Sequence, residues 1–155
     1  MIHRPSRNQL ALQLRRYLNG RITNWDLDDS GDRLEDDGAS EIWEIIWTTY
    51  SDFPKFRAVG DRQVEGDLRQ QYLRAILFLD SDLEYEWPPW AIGAPCFLWL
   101  RNLLTRGRAG REFDAAEAAR IKSWEEAGDS TIWPFVRKSD YDTALQSARR
   151  LAGIE

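Results

Sequence analysis

A single cysteine, a single histidine and a single methionine occur in 155 residues. Cys96 therefore has no partner for an intramolecular disulfide, which fits a reducing compartment, and a cytoplasmic location is expected. Cys96 also lies in an apolar run, where burial raises a thiol's pKa and leaves it inert. His3 sits near the start of the chain, so a Ser-His or Cys-His nucleophile would need that end to fold into a site. The longest uncharged run, Trp87 to Leu100, is too short to cross a bilayer and is interrupted by Pro88, Pro89, Gly93 and Pro95. Met1 to Arg7 leads into an amphipathic segment rather than an apolar one, so neither a membrane span nor a secretory leader is expected. P-loop, G-x-G-x-x-G, H-E-x-x-H and zinc-ligand spacings are all missing, and no cofactor is expected. Clustered cations are missing as well. The 21 lysines and arginines are scattered among 26 carboxylates, giving a net charge of -5 and a pI near 5.0, which argues against nucleic acid as the principal ligand.

What is present is a globular composition, 43% hydrophobic and 30% charged, with a mean hydropathy of -0.58. The length suits one domain able to bury a core without staples. Eight tryptophans are many, and most are assigned to core packing, with the indole N–H groups requiring acceptors. Charge is distributed unevenly. Between Trp25 and Trp47, Asp26, Asp28, Asp29, Asp32, Glu35, Asp36, Asp37, Glu41 and Glu44 face only one cation, Arg33.

Helix signals dominate the chain. Ser6 and Gln9 form a capping-box pattern before Leu10, Leu14, Tyr17 and Leu18 on one face, and Gly20 supplies a stop. Thr23 or Asn24 can cap a short turn, after which Ser30 to Ala39 reads as an acidic loop. Ser40 is expected to cap a deeply buried helix carrying Ile42, Trp43, Ile45, Ile46, Trp47 and Tyr50. Ser51 to Gly66 reads as a long connection and a candidate binding loop. A helix from Asp67 carries Leu68, Tyr72, Leu73, Ile76, Leu77 and Leu79. From Asp80 to Trp87 the period becomes two, predicting an extended segment with Asp80, Asp82, Glu84 and Glu86 on one face. Their repulsion calls for a cation, with Arg74 or Arg137 and Lys138 as candidates. Phe97 to Leu104 predicts a central helix, Arg106 to Arg111 a basic linker, and Phe113, Asp114 and Glu117 the start of a further helix closed by Gly128. Ile132 to Lys138 is an aromatic stretch that could pair with Asp80 to Trp87, and Ser139 with Asp142 opens a last helix ending at Gly153. The expected architecture is mainly α, a single-domain bundle of five or six helices over residues 1–155, with at most a minor two-stranded ribbon.

Two clusters could carry chemistry. Asp26, Asp28 and Ser30, with Gly31 and then Asp37 in the twelfth place, approach a calcium-loop pattern, because a hard cation wants oxygen ligands at alternate positions around a tight turn. Asp37 in place of the usual glutamate and Arg33 in an aliphatic position weaken it, and a solvated acidic loop is the preferred reading. Asp82 and Glu84 in the carboxylate row could hold a divalent ion or act as an acid and nucleophile pair; repeated charges along an exposed extended edge are the simpler explanation.

Gly20 to Asn24 followed by acid, Leu79 to Pro88, and Trp133-Pro134-Phe135 resemble short islands found in a family of small bacterial proteins that brings no established activity. The composition is also similar to that of toxin-immunity proteins. These readings imply a non-enzymatic interaction module whose acidic face (Asp26, Asp28, Asp29, Asp32, Asp36, Asp37), with Trp25, Trp43 and Trp47 as anchors, docks on a basic protein partner, an immunity-type protein against a basic toxin being its sharpest form. The alternative is a metal-dependent hydrolase using the Asp80 to Glu86 carboxylates. A decoy mimicking nucleic acid would need a flatter, less aromatic charge array. Oligomeric state is left open.

Overall fold

The structure is a computed structural model that describes residues 1–31, 34–89 and 108–151, with side chains described for these except 108–113 and 149–151. It is mainly helical: α1 (Arg4–Leu18), α2 (Asn24–Asp28), α3 (Asp37–Trp47), α4 (Gly66–Leu79), α5 (Arg108–Ala127) and α6 (Lys138–Leu151), with 3-10 turns at Asp29–Gly31, Gly60–Arg62 and Ser130–Ile132. α1 and α4 form the central pair; α2 and α3 pack on α1, and α3 and α6 on α4.

α1 buries Arg7, Leu10, Ala11, Leu14, Tyr17 and Leu18, a stripe at three-to-four spacing. It starts earlier than the Ser6 pattern predicts. A proline in its first turn presets the helical φ, so His3 becomes the N-cap residue, without a side-chain cap. Ser6 is buried within that turn, where its hydroxyl meets His3 Nδ1 at 2.8 Å and accepts from the Glu35 backbone N–H at 3.0 Å. At the other end Gly20 (φ +63°) donates its backbone N–H to Tyr17 O and Arg21 donates to Arg16 O, the paired bonds of a Schellman stop.

Thr23 caps α2 in a reciprocal box: its hydroxyl accepts from the Asp26 N–H, and the Asp26 carboxylate accepts from the Thr23 N–H at 2.8 Å. Asn24 has another task. Fully buried, it donates to Ser51 O (2.9 Å) and accepts from the Phe56 N–H (2.8 Å), fastening the long connection to α2. A backbone bridge between Thr23 and Arg57 adds a second tie.

α3 is capped by Asp36 rather than Ser40, because Asp36 Oδ1 accepts the Ala39 N–H at 2.8 Å, and the helix therefore begins inside the expected loop. It is also less buried than its apolar sequence implies. Ala39, Ile42 and Ile46 face the core, Trp43 and Ile45 are half-buried, and Trp47 is exposed. α4 buries Tyr72, Ala75, Ile76, Phe78 and Leu79, while Leu73 faces outward. Tyr17 joins the layers, its ring 6.1 Å from Tyr72, 5.9 Å from Tyr50 and 6.5 Å from Phe56.

Asp80 to Trp87 keeps its alternation: Asp80, Asp82, Glu84 and Glu86 are exposed, Ser81, Leu83 and Tyr85 half-buried and Trp87 buried. It is not a strand, and among the described residues no ladder joins it to Ile132 to Lys138. A 3-10 turn ends at Ile132, and Pro134 has no N–H to donate to a ladder. Side chains connect the two segments instead. Trp133 Nε1 donates to Tyr85 Oη at 3.3 Å and Arg137 pairs with Glu86 at 2.7 Å, while Phe135 meets Phe78 of α4 edge-on at 5.4 Å. The basic linker is also revised: 108–111 are helical, and the expected start at Phe113 to Glu117 is interior to α5, since its Ala, Arg and Glu content favours helix strongly enough to carry Gly110. The central helix expected over Phe97 to Leu104, together with Cys96, Gly107 and Gly153, lies outside the described residues.

Candidate functional site

Burial of Asn24 and Leu27 on one side of α2 turns Trp25, Asp26, Asp28 and Asp29 outward. Trp25 is 43% exposed, its indole N–H fixed on Asp52 O at 2.7 Å, and the 75% exposed Phe53 stands edge-on to it at 6.0 Å. Trp47, 39% exposed at the end of α3, donates its indole N–H to Asp28 Oδ1 at 2.9 Å. Both indoles thus have their polar edge satisfied while part of each ring meets solvent. The result is an aromatic patch, Trp25, Trp47 and Phe53, interleaved with Asp28 and Asp52. Lys55 lies over the Trp25 ring at 5.3 Å. The Thr23 backbone N–H and hydroxyl hold Asp26 below the usual carboxylate range, and Lys55 and Arg57 add to this. Glu44 moves the other way, raised by burial and by its neighbour Glu41.

Not every residue expected on this face is there. Asp36 is buried, with only 1% of its side chain exposed, and is paired with the equally buried Arg7, whose Nε lies 2.9 and 3.0 Å from its two oxygens. Its placement follows from its role as the α3 cap, where it also accepts from the His3 N–H at 2.8 Å. Burial works to raise its pKa, but the His3, Ala39 and Arg7 hydrogen bonds win and hold it low. Asp36 is therefore a structural ion and not part of a docking surface. Trp43 is half-buried against Gly31, where a Cβ would fall 1.9 Å from its Nε1, whereas Asp37 is exposed in the first turn of α3. Asp32 lies outside the described residues.

The calcium-loop reading meets helix where it needs a loop. Asn24 to Gly31 is α-helix followed by a 3-10 turn; Asp26 is engaged by Thr23, Asp28 by Trp47, and the buried Ser30 donates its hydroxyl to Leu27 O at 2.6 Å. No group of three or more His, Cys, Asp or Glu side chains is assembled for a metal among the described residues.

The carboxylate row is tied down by arginines. Asp80 pairs with Arg15, Asp82 with Arg4 at 3.0 Å, and Glu86 with both Nη atoms of Arg137 at 2.7 and 2.8 Å. Arg4 also donates to Leu79 O at 2.7 Å. Of the cations expected there, Arg137 is present, Lys138 lies near Asp142 and Arg74 donates to Trp133 O. Arg4 and Arg15 escaped sequence reasoning because only the docking of α1 on α4 brings them to the row. A cleft of about 380 Å³ adjoins it, lined by Leu77, Asp80, Asp82, Asp140, Thr143 and Ser147.

Ser51 to Gly66 lines a second cleft, of about 420 Å³, walled by Tyr17, Tyr50 and Phe56 and carrying Arg62 and Glu65. Phe53 and Asp52 were the site residues the sequence did not single out; a Phe between Asp and Pro in a polar connection was the available signal. The chain matches no protein-family model, no curated protein and no solved structure.

Proposed function

We propose that this protein is a non-enzymatic interaction module that uses the α2 face to bind a basic protein partner, an immunity-type role against a basic toxin being the specific form. The observation that carries the reading is the joint exposure of Trp25, Trp47 and Phe53, with the Asp28 carboxylate and the Asp52 backbone carbonyl holding the two indoles. Aromatic anchors supply most of the affinity at protein interfaces, and surrounding charge of one sign accelerates encounter and selects partners. Asp26, Asp28 and Asp29 supply that charge; Asp36 does not, and Asp37 stands at the other end of α3 from Trp47, near Glu84 and Tyr85. Hydrolysis by Asp82 and Glu84 is the weaker reading, since Arg4 already neutralises Asp82 and arginines hold Asp80 and Glu86.

Affinity capture from the source cell, at low and at high salt, tests this. The wild-type chain retains a basic polypeptide at low salt, high salt weakens it, and Trp25→Ala with Trp47→Ala costs roughly 2 kcal/mol or more of binding free energy. Retention unaffected by the double substitution, or no retained polypeptide at low salt, refutes the reading.

A further inference from the structure

We infer that the exposed face of the Trp25 ring is the seat for an arginine side chain of the partner, and that Lys55 holds this seat in the free chain until it is displaced. The inference rests on the interaction reading and names the chemistry that the α2 face selects.

The ring is fixed before any partner arrives. Its indole N–H donates to Asp52 O at 2.7 Å, and Phe53 stands edge-on to it at 6.0 Å. The connection that supplies both is itself anchored: the buried Asn24 side chain donates to Ser51 O and accepts from the Phe56 N–H, and the Ser51 hydroxyl donates to Phe53 O at 2.7 Å. Both rings remain exposed, so another molecule can reach them. A tryptophan face held in this way attracts a cation through its quadrupole, more strongly than tyrosine or phenylalanine does.

Lys55 shows that a cation is accepted there. Its Nζ lies 5.3 Å from the ring centroid and makes no ion pair or hydrogen bond among the described residues. Asp26 is near enough for the Lys55 charge to help hold its carboxylate low, and Arg57 acts on it in the same way. The ammonium group therefore rests on the ring rather than on a counter-ion. Such an exposed contact is weak, and an incoming cation can replace it.

Arginine is the occupant that gains by the exchange. Its planar guanidinium stacks on a ring, is more weakly hydrated than an ammonium group, and keeps N–H donors at its edge for a carboxylate. Asp26 has an oxygen to offer, because Thr23 engages Oδ2 and leaves Oδ1 without a hydrogen bond among the described residues. A partner presenting lysine meets a resident lysine and gains nothing at this ring. Lys55 thus makes the face selective for arginine-bearing surfaces.

Calorimetric titration of the full chain with hexa-arginine amide and with hexa-lysine amide at low salt tests this. Hexa-arginine is expected to bind about two- to fivefold tighter than hexa-lysine, the range of one exposed cation–π contact. Lys55→Gln should strengthen hexa-arginine binding by a similar factor beyond Arg57→Gln, which removes the same charge from the same neighbourhood and is the control for simple electrostatics. Trp25→Leu, which keeps an apolar side chain without the ring, should abolish both differences. All three positions are exposed, and far-ultraviolet circular dichroism verifies that the variants fold. The inference is overturned if hexa-arginine does not bind, if hexa-lysine binds equally well, if Lys55→Gln gains no more than Arg57→Gln, or if the gain survives in a Trp25→Leu background. A basic polypeptide captured by the wild-type chain without the Lys55 gain ends this inference and leaves the interaction reading intact. The Lys55 gain with no captured polypeptide ends the interaction reading, while the ring remains an arginine seat.

Discussion

Replacing Asp36 with alanine leaves the Arg7 guanidinium buried without its counter-ion, and the size of the penalty tests whether this pair organises the fold. Arg7 donates to both Asp36 oxygens, to Ser81 O at 3.1 Å and to Leu83 O at 2.7 Å, and lies 5.2 Å from the Phe78 ring centre. One side chain of α1 therefore holds the start of α3 and the extended segment after α4. Removing one member of a buried pair costs about 3–5 kcal/mol, and losing the α3 cap adds about 1 kcal/mol. Against a typical total of about 5–15 kcal/mol, Asp36→Ala approaches global unfolding. Asp36→Asn keeps an acceptor for the Ala39 N–H but not the charge, and should cost less than alanine. Arg7→Met combined with Asp36→Asn removes both charges and should be less damaging than the sum of its single substitutions. Urea unfolding followed by tryptophan fluorescence reads these values from midpoints at constant m. The pH dependence has a fixed sign: the folded pKa of Asp36 lies below its ordinary value of 3.8. Its contribution is complete above that ordinary value and is lost as pH falls through the depressed folded value. A cost for Asp36→Ala within about 0.5 kcal/mol of zero, the scatter of ordinary surface substitutions, or strict additivity of the Arg7 and Asp36 substitutions, refutes the reasoning.

Tyr50→Phe removes a buried hydroxyl that has no partner among the described residues and should leave stability unchanged or raise it, by up to about 1–3 kcal/mol; a lowered urea midpoint contradicts this. Thr23→Ala breaks the α2 capping box and should cost about 1 kcal/mol, read as a shift in thermal midpoint, with no shift counting against the cap. Gly20→Ala places a Cβ 2.2 Å from Val59 Cγ1 at a φ of +63°, so strain and overpacking together should cost more than about 1 kcal/mol in the same melt, and a neutral result would mean the α1 stop does not depend on glycine.

Periodicity and punctuation determined a good deal. Leu10, Leu14, Tyr17 and Leu18 are buried as their spacing requires, Gly20 ends α1, Thr23 caps α2, and Asp80 to Glu86 point their carboxylates to solvent. Each depends on interactions within a few residues, which the local sequence contains. Cap choice was harder, because several candidates lie close together: Ser6 lost to a proline-started helix, and Ser40 to Asp36, whose choice depends on Arg7 being there to receive it. The ribbon with Ile132 to Lys138 failed for a related reason, since alternation sets which side faces solvent but not whether a backbone partner arrives.

By itself, then, the sequence decided the helical class, the placement of turns and the clustering of acid near the first third of the chain. Only the tertiary structure decided which of those acids meet solvent. α1 brings Arg7 to Asp36, Arg4 to Asp82 and Arg15 to Asp80 across tens of residues, and the same packing leaves Trp25, Trp47 and Phe53 outside. The physical reason is that a charge's fate depends on what lies within a few ångströms in space. Chain order does not record that distance.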